Sequence, residues 1–172
     1  MGKFILSGII QFVFLIVIQA LVLNNIQFSG YVNPYLYIVF ILWLPLSTPK
    51  ALLLFLAFVL GLTLDVFTNT IGMHTSATVF MAFCRPYVLQ TLVPRDGYEI
   101  NQTPGIKDLG LKWFAAYAAM LTLLHHLFLF FVEVFRFTDF YDTIIRVVYS
   151  WVFTMILIFI AQYFRYNAEE RR

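Results

Sequence analysis

The apolar residues of this chain come in long runs that no charge interrupts. Residues 4–23 form one such run and residues 51–64 another. Strands of a membrane barrel alternate apolar and polar positions, so unbroken runs argue for helices. Charged residues make up 12% of the chain, about half the share that soluble domains carry, and 62% of it is hydrophobic. The expected fold is therefore an all-α integral membrane protein, with residues 1–172 forming a single polytopic domain. Cys84 is the only cysteine, which excludes an internal disulfide and leaves it a packing residue. The net charge is +2, and the basic residues are scattered at segment ends, so no nucleic-acid surface is implied. Lys3 followed by an apolar run has the look of a signal sequence. The run is too long for one, and no small-x-small cleavage site follows, so a retained first helix is expected.

A helix needs about 20 residues to cross a hydrocarbon core of about 30 Å, and shorter ones occur. On that measure six transmembrane helices are expected, at about 4–23, 34–46, 50–67, 73–92, 111–132 and 143–164. Asn33–Pro34 offers an N-cap followed by proline at the first helical position. Pro45 and Pro49 stop that short second helix. Arg85–Pro86 disturbs the fourth helix, residues 95–110 form a polar loop, and residues 165–172 a charged tail. Six crossings place both termini on one side. With the termini inside, the inner segments hold Lys3, Lys50, Arg95, Lys107, Lys112, Arg165, Arg171 and Arg172, and the outer ones hold Arg136 and Arg146. That eight-to-two bias makes both termini cytoplasmic. If residues 34–46 are only re-entrant, the assignment of every later helix changes. Tyr31, Tyr35 and Tyr37 outside, with Trp113, Tyr163 and Tyr166 inside, read as interfacial belts.

Asp65 ends the second apolar run, and an uncompensated carboxylate in lipid costs about 2.5–3.5 kcal/mol even on the lenient insertion scale. It lies 14 residues past Ala51, about 21 Å along a helix and hence in the outer third of the bilayer. The turn to the next helix is centred near Thr70, and His74 follows that centre about as far as Asp65 precedes it. The two are expected to face each other and to hydrogen-bond, with Thr68, Asn69 and Thr75 as further donors. A second reading has Asp65 capping the turn and solvated among the headgroups. Gly61 precedes Asp65 by four residues and shares its face, and Ala57 precedes Gly61 by four. Ala57-x-x-x-Gly61 is a small-xxx-small pair, which allows close approach of another backbone. Gly72 supplies a turn conformation that other residues avoid.

The run Gly61-Leu62-x-x-Asp65, with Gly72 seven residues later, resembles the G-L-x-x-D-x-x-x-x-x-x-G hairpin of the rod shape-determining protein MreD family. The total length, a first helix ending in Gln19, small termini and little soluble mass agree with it. By this resemblance Gly61, Asp65 and Gly72 are the family positions; His74 is added by the hairpin geometry above. The resemblance implies a non-catalytic subunit of the bacterial cell-elongation complex in the inner membrane, working in regulation of cell shape and peptidoglycan synthesis. Its partners would be an MreC-like bitopic scaffold and, indirectly, MreB filaments and the RodA glycosyltransferase with its penicillin-binding transpeptidase, all at the lipid bilayer. It also implies a fold similar to the S-components of energy-coupling-factor transporters. That keeps a second function open, a substrate-binding S-component of a vitamin transporter, with a cavity near the outer face lined by Asp65, His74, Asn69 and Glu133.

Other polar residues within the apolar segments carry less. His125 and His126 are adjacent, so they point about 100° apart and do not ligate one metal from a single helix face. They read as a neutral, hydrogen-bonded pair in a packing seam; a proton path through Asp65, His74 and the pair is the alternative. Arg85, about 18 Å in from the start of its helix, either snorkels toward the cytoplasmic headgroups or reads a lipid phosphate or a partner's acid. The loop at 95–110 is balanced in charge, and residues 133–142 form either a solvated connection or a contact for a periplasmic partner. No nucleophile–base pair, phosphate loop or H-E-x-x-H motif is present in the sequence, so no catalytic residue, cofactor or metal is assigned.

Overall fold

The computed structural model of the chain describes residues 2–25, 32–70, 72–99, 102–134 and 140–170. These residues form helices and no strand: α1 (Gly2–Leu21), α2 (Val39–Trp43), α3 (Lys50–Thr68), α4 (Met73–Thr91), α5 (Ile106–Leu109), α6 (Leu111–Val134) and α7 (Phe140–Glu170). Short 3-10 turns at Leu23–Asn25 and Leu36–Ile38 follow α1 and precede α2. Four helical stretches are long and apolar enough to cross a membrane: Leu6–Asn25, Lys50–Thr68, Leu111–Val134 and Phe140–Ala168. Their outer faces carry large apolar side chains, with Ile10 60%, Phe55 61% and Tyr163 63% exposed. An apolar cover of that extent belongs in lipid rather than water. The chain is an all-α membrane protein.

α4 is long enough to span but more polar than those four, and it packs between α3 and α6. Its buried face carries His74, Thr75, Thr78 and Arg85 beside Ala77, Met81, Ala82 and Val88. A polar helix is tolerated because its neighbours, not lipid, surround that face. Pro86 lies within α4 without ending it.

The second helix expected at 34–46 is corrected. Its helical part is only Leu36–Trp43, and Asn33 to Tyr35 are not helical, so Asn33 caps nothing and Pro34 is outside the helix. The freed backbone groups are met by side chains from distant helices. Gln19 Oε1 accepts the N–H groups of Leu36 (2.7 Å) and Tyr37 (3.3 Å), while Gln19 Nε2 donates to Pro34 O (2.9 Å). Asn33 N–H donates to Ser150 Oγ and Tyr35 N–H to Thr154 Oγ1, each at 3.0 Å. Non-helical backbone inside a membrane protein is tolerated when protein groups satisfy it. Residues 37–39, 41 and 42 are fully buried, so this segment is the centre of the bundle.

Tyr35 (8% exposed) and Tyr37 (0%) are accordingly core residues and not part of an outer aromatic belt; Tyr31, also expected there, lies outside the described residues. The charged tail expected from residue 165 continues α7 to Glu170, because Arg, Ala and Glu end an apolar run without ending a helix. Within the polar loop, α5 was not expected. Thr103 braces it through bonds from its N–H and Oγ1 to Asp108 Oδ2 (3.0 and 2.9 Å).

Candidate functional site

The candidate site is built on the α3–α4 hairpin. α3 stops at Thr68 because Asn69 adopts a left-handed conformation (φ 55°), and Gly72 adopts another (φ 77°) just before α4. At Gly61 the two backbones touch. A Cβ there would lie 2.7 Å from Thr75 N and 2.8 Å from His74 O, so no larger residue leaves this spacing intact. The small-xxx-small pair thus serves contact within the chain. Ala57 is fully buried and Gly61 is also buried, so neither offers a face to a partner helix.

The close approach places Asp65 over the start of α4, whose N-cap, Gly72, has no side chain to cap with. Asp65 caps it from across the hairpin. Its Oδ1 accepts from His74 N–H (3.0 Å) and Thr70 Oγ1 (2.8 Å), and its Oδ2 from Thr75 N–H (3.0 Å) and Thr75 Oγ1 (2.6 Å). His74 Nδ1 stands 3.0 Å from Oδ1. A carboxylate only accepts, so Nδ1 carries the proton and donates. Asp65 is 5% exposed, which overturns its solvation among headgroups, whereas its hydrogen bond to His74 and its capping role are one arrangement. Among the expected donors, Thr75 bonds the carboxylate directly, and Thr68 Oγ1 stands 2.6 Å from Thr70 Oγ1.

A buried polar chain leads inward from this clasp. Thr78 Oγ1 donates to His74 O (2.6 Å) and lies 3.2 Å from the Tyr37 hydroxyl, which is 2.7 Å from His125 Nε2. His126 turns the other way, with Nδ1 2.8 Å from Thr122 O and Nε2 3.1 Å from Thr154 Oγ1. All three histidines of the chain ring Tyr35, with centroids 5.5 Å (His74), 6.0 Å (His125) and 5.5 Å (His126) away. Among the described residues no group of three or more His, Cys, Asp or Glu side chains could hold a metal. Tyr35 and Tyr37 were missed as site residues. Their period along the sequence is that of any aromatic belt, and only the collapse of residues 32–38 into the core brings them to the histidines.

Arg85 lies apart from the clasp, toward the opposite end of α4. It is 1% exposed, so it neither snorkels to headgroups nor reaches a lipid phosphate or a partner's acid, and both expectations are corrected. Nε donates to the Tyr117 hydroxyl (2.6 Å), and the Nη atoms donate to Leu44 O and Pro45 O. Leu44 caps the C-terminus of α2, so these carbonyls lie at a helix end that has run out of its own donors. The guanidinium fork fits two neighbouring carbonyls, which an ammonium does not match. Arg85→Lys is therefore expected to lower the stability of the purified protein by about 2 kcal/mol, equal in zwitterionic and anionic lipid. Thermal unfolding in the two lipids checks it.

At the hairpin end of the bundle the described residues line a half-open cavity of about 440 Å³ between the ends of α1, α3 and α6, the start of α4 and residues 33–35. Its wall includes Asn24, Asn33, Tyr35, Thr70, His74 and Glu133. Glu133 Oε1 accepts from Arg146 Nη2 at 3.1 Å. Of the four residues expected to line an outer cavity, His74 and Glu133 do so. Asp65 stands behind His74 with its oxygens taken, and Asn69, the exposed C-cap of α3, is not in the wall. No protein-family model, curated protein or solved structure matches the chain.

Proposed function

We propose that this protein is a non-catalytic subunit of the bacterial cell-elongation complex, similar to MreD, which binds an MreC-like single-pass scaffold in the inner membrane and supports rod-mode peptidoglycan synthesis. The observation that carries the reading is the convergence of the three residues of the resemblance in one junction. Gly61 lets the helices touch, Gly72 turns the chain, and Asp65 fastens the second helix to the first. Residues bound to one another in this way belong to a frame that presents its outer surfaces to partners. In this reading α1, residues 33–49, α3, α4, α6 and α7 make six crossings in an S-component-like arrangement, the second crossing only partly helical. The positive-inside bias puts both termini in the cytoplasm.

The cavity favours a second reading, a substrate-capturing S-component of an energy-coupling-factor transporter, because such a subunit needs a small-molecule site at its outer end. A pull-down of the tagged chain from its native membrane in mild detergent, with partners identified by mass spectrometry, separates the two. The first reading predicts a bitopic periplasmic scaffold together with wall-synthesis enzymes. Recovery of an ATPase pair with a coupling membrane subunit contradicts it and selects the second.

A further inference from the structure

α1 carries a polar residue that nothing in its own chain accounts for. Gln11 lies seven residues past Phe4, where the apolar run begins, about 10 Å along the helix and hence within the hydrocarbon layer. Its side chain is half-buried, and its amide bonds no described residue. A glutamine is too short to reach the headgroups from that depth, unlike a lysine or an arginine. Gln19, eight residues on, shows the contrast: it is buried and bonds Pro34, Leu36 and Tyr37. An amide left to lipid keeps its donors and its acceptor unmet, and such side chains hydrogen-bond across to a neighbouring helix.

The surroundings of Gln11 have the spacing of a helix seam. Ser7, Gln11, Phe14, Ile18 and Leu21 follow one another at alternating steps of four and three, the period of two helices packed left-handedly. The bundle packs on another face of α1, that of Leu15, Ile16, Gln19 and Leu23, and leaves Ser7 exposed, with Phe14 60% and Leu21 66% exposed. Gly8 lies beside Gln11, and a Cβ there would meet nothing within 4 Å, so no contact inside the chain requires this glycine. A flat point on the helix suits the close approach of a second one. Two copies of a chain in one bilayer share a topology, so a two-fold axis along the membrane normal brings each residue to the depth of its copy. Gln11 then meets Gln11. A carboxamide donates and accepts at once and is its own complement, whereas a helix of another sequence matches it only by carrying a polar group at that depth.

We infer that α1 pairs with α1 of a second copy along this seam, with the two Gln11 amides hydrogen-bonded to each other. The inference goes beyond both functional readings, since neither needs a dimer. The purified chain tests it without any other partner, so its failure and the failure of either reading are distinguishable.

The test uses the full chain, with one fluorophore at its C-terminus, in phosphatidylcholine vesicles. Photobleaching steps are counted per vesicle as the protein-to-lipid ratio rises. The expected result is a density-dependent monomer–dimer equilibrium, weakened about tenfold in Gln11→Leu and retained in Gln11→Asn, which keeps the amide. Cysteine cross-linking reads the geometry with Gln11 in place. In a Cys84→Ala background, Phe14→Cys is expected to form a disulfide-linked dimer under mild oxidation. Val13→Cys is the control and is expected to stay monomeric: Val13 is 52% exposed at nearly the same depth but is turned about 160° from Gln11. A chain that is monomeric at every density overturns the inference, as does a Gln11→Leu protein that dimerises like the parent, or cross-linking through residue 13 in preference to residue 14. A monomeric chain whose Gln11→Leu variant loses a co-purifying single-pass protein also overturns it and assigns the seam to that partner. The cross-linking pair decides the matter even if Gln11→Leu fails to fold.

Discussion

Replacing Gly61 by alanine opens the α3–α4 hairpin. The added methyl group meets Thr75 N at 2.7 Å and His74 O at 2.8 Å, and both are backbone atoms that no rotamer change can move. Ordinary overpacking costs about 1–3 kcal/mol, and a clash with a rigid backbone belongs at the upper end, about 3 kcal/mol. The separation also lengthens every bond from Asp65 to α4, so the loss is not confined to the contact. Gly72→Ala is the control. Its φ of 77° disfavours a side chain, but an added Cβ there has nothing within 4 Å. Backbone strain alone costs it about 1 kcal/mol. Thermal unfolding of the purified proteins should rank parent, Gly72→Ala and Gly61→Ala in descending order. A Gly61→Ala protein as stable as Gly72→Ala would mean that the helices are not in contact at this point.

Asp65→Ala should be as damaging by a different route. The substitution leaves the His74 and Thr75 N–H groups, two threonine hydroxyls and His74 Nδ1 facing an apolar methyl group. Leaving that many buried donors without an acceptor costs about 3–5 kcal/mol together. Asp65→Asn keeps the shape and one acceptor, but its amide nitrogen must face donors, and about 2 kcal/mol is expected. Accumulation in the membrane and unfolding temperature should both follow the order parent, Asn, Ala. If Asp65→Ala unfolds with the parent, the hairpin is held by packing and the carboxylate has another task.

The same hairpin explains what was legible in the sequence. An acid at the end of an apolar run, with Gly61 a turn before it and Gly72 beyond it, has few ways to fold other than a tight polar junction. The bounds of α3 and α4 follow from Pro49, Asn69 and Gly72, which are local signals. Residues 32–43 were illegible for the opposite reason. Their backbone is satisfied by Gln19, Ser150 and Thr154, and the last two are 117 and 119 positions away along the chain. An Asn–Pro before an apolar run reads as a helix start unless such distant side chains are known to wait for it. Arg85 is illegible for the same reason: the carbonyls that accept from its guanidinium, at the end of α2, are 40 and 41 positions away along the chain.

The proposed role in rod-shaped wall growth is tested by depleting the protein from the cells that make it. Cell width is followed by microscopy while new wall is labelled with a fluorescent D-amino acid. Under the proposed role, depleted cells round up and lateral incorporation becomes dispersed. The parent gene should restore the rod, and Asp65→Ala should restore it only as far as the protein accumulates. Depleted cells that keep their width and their pattern of wall insertion would contradict it.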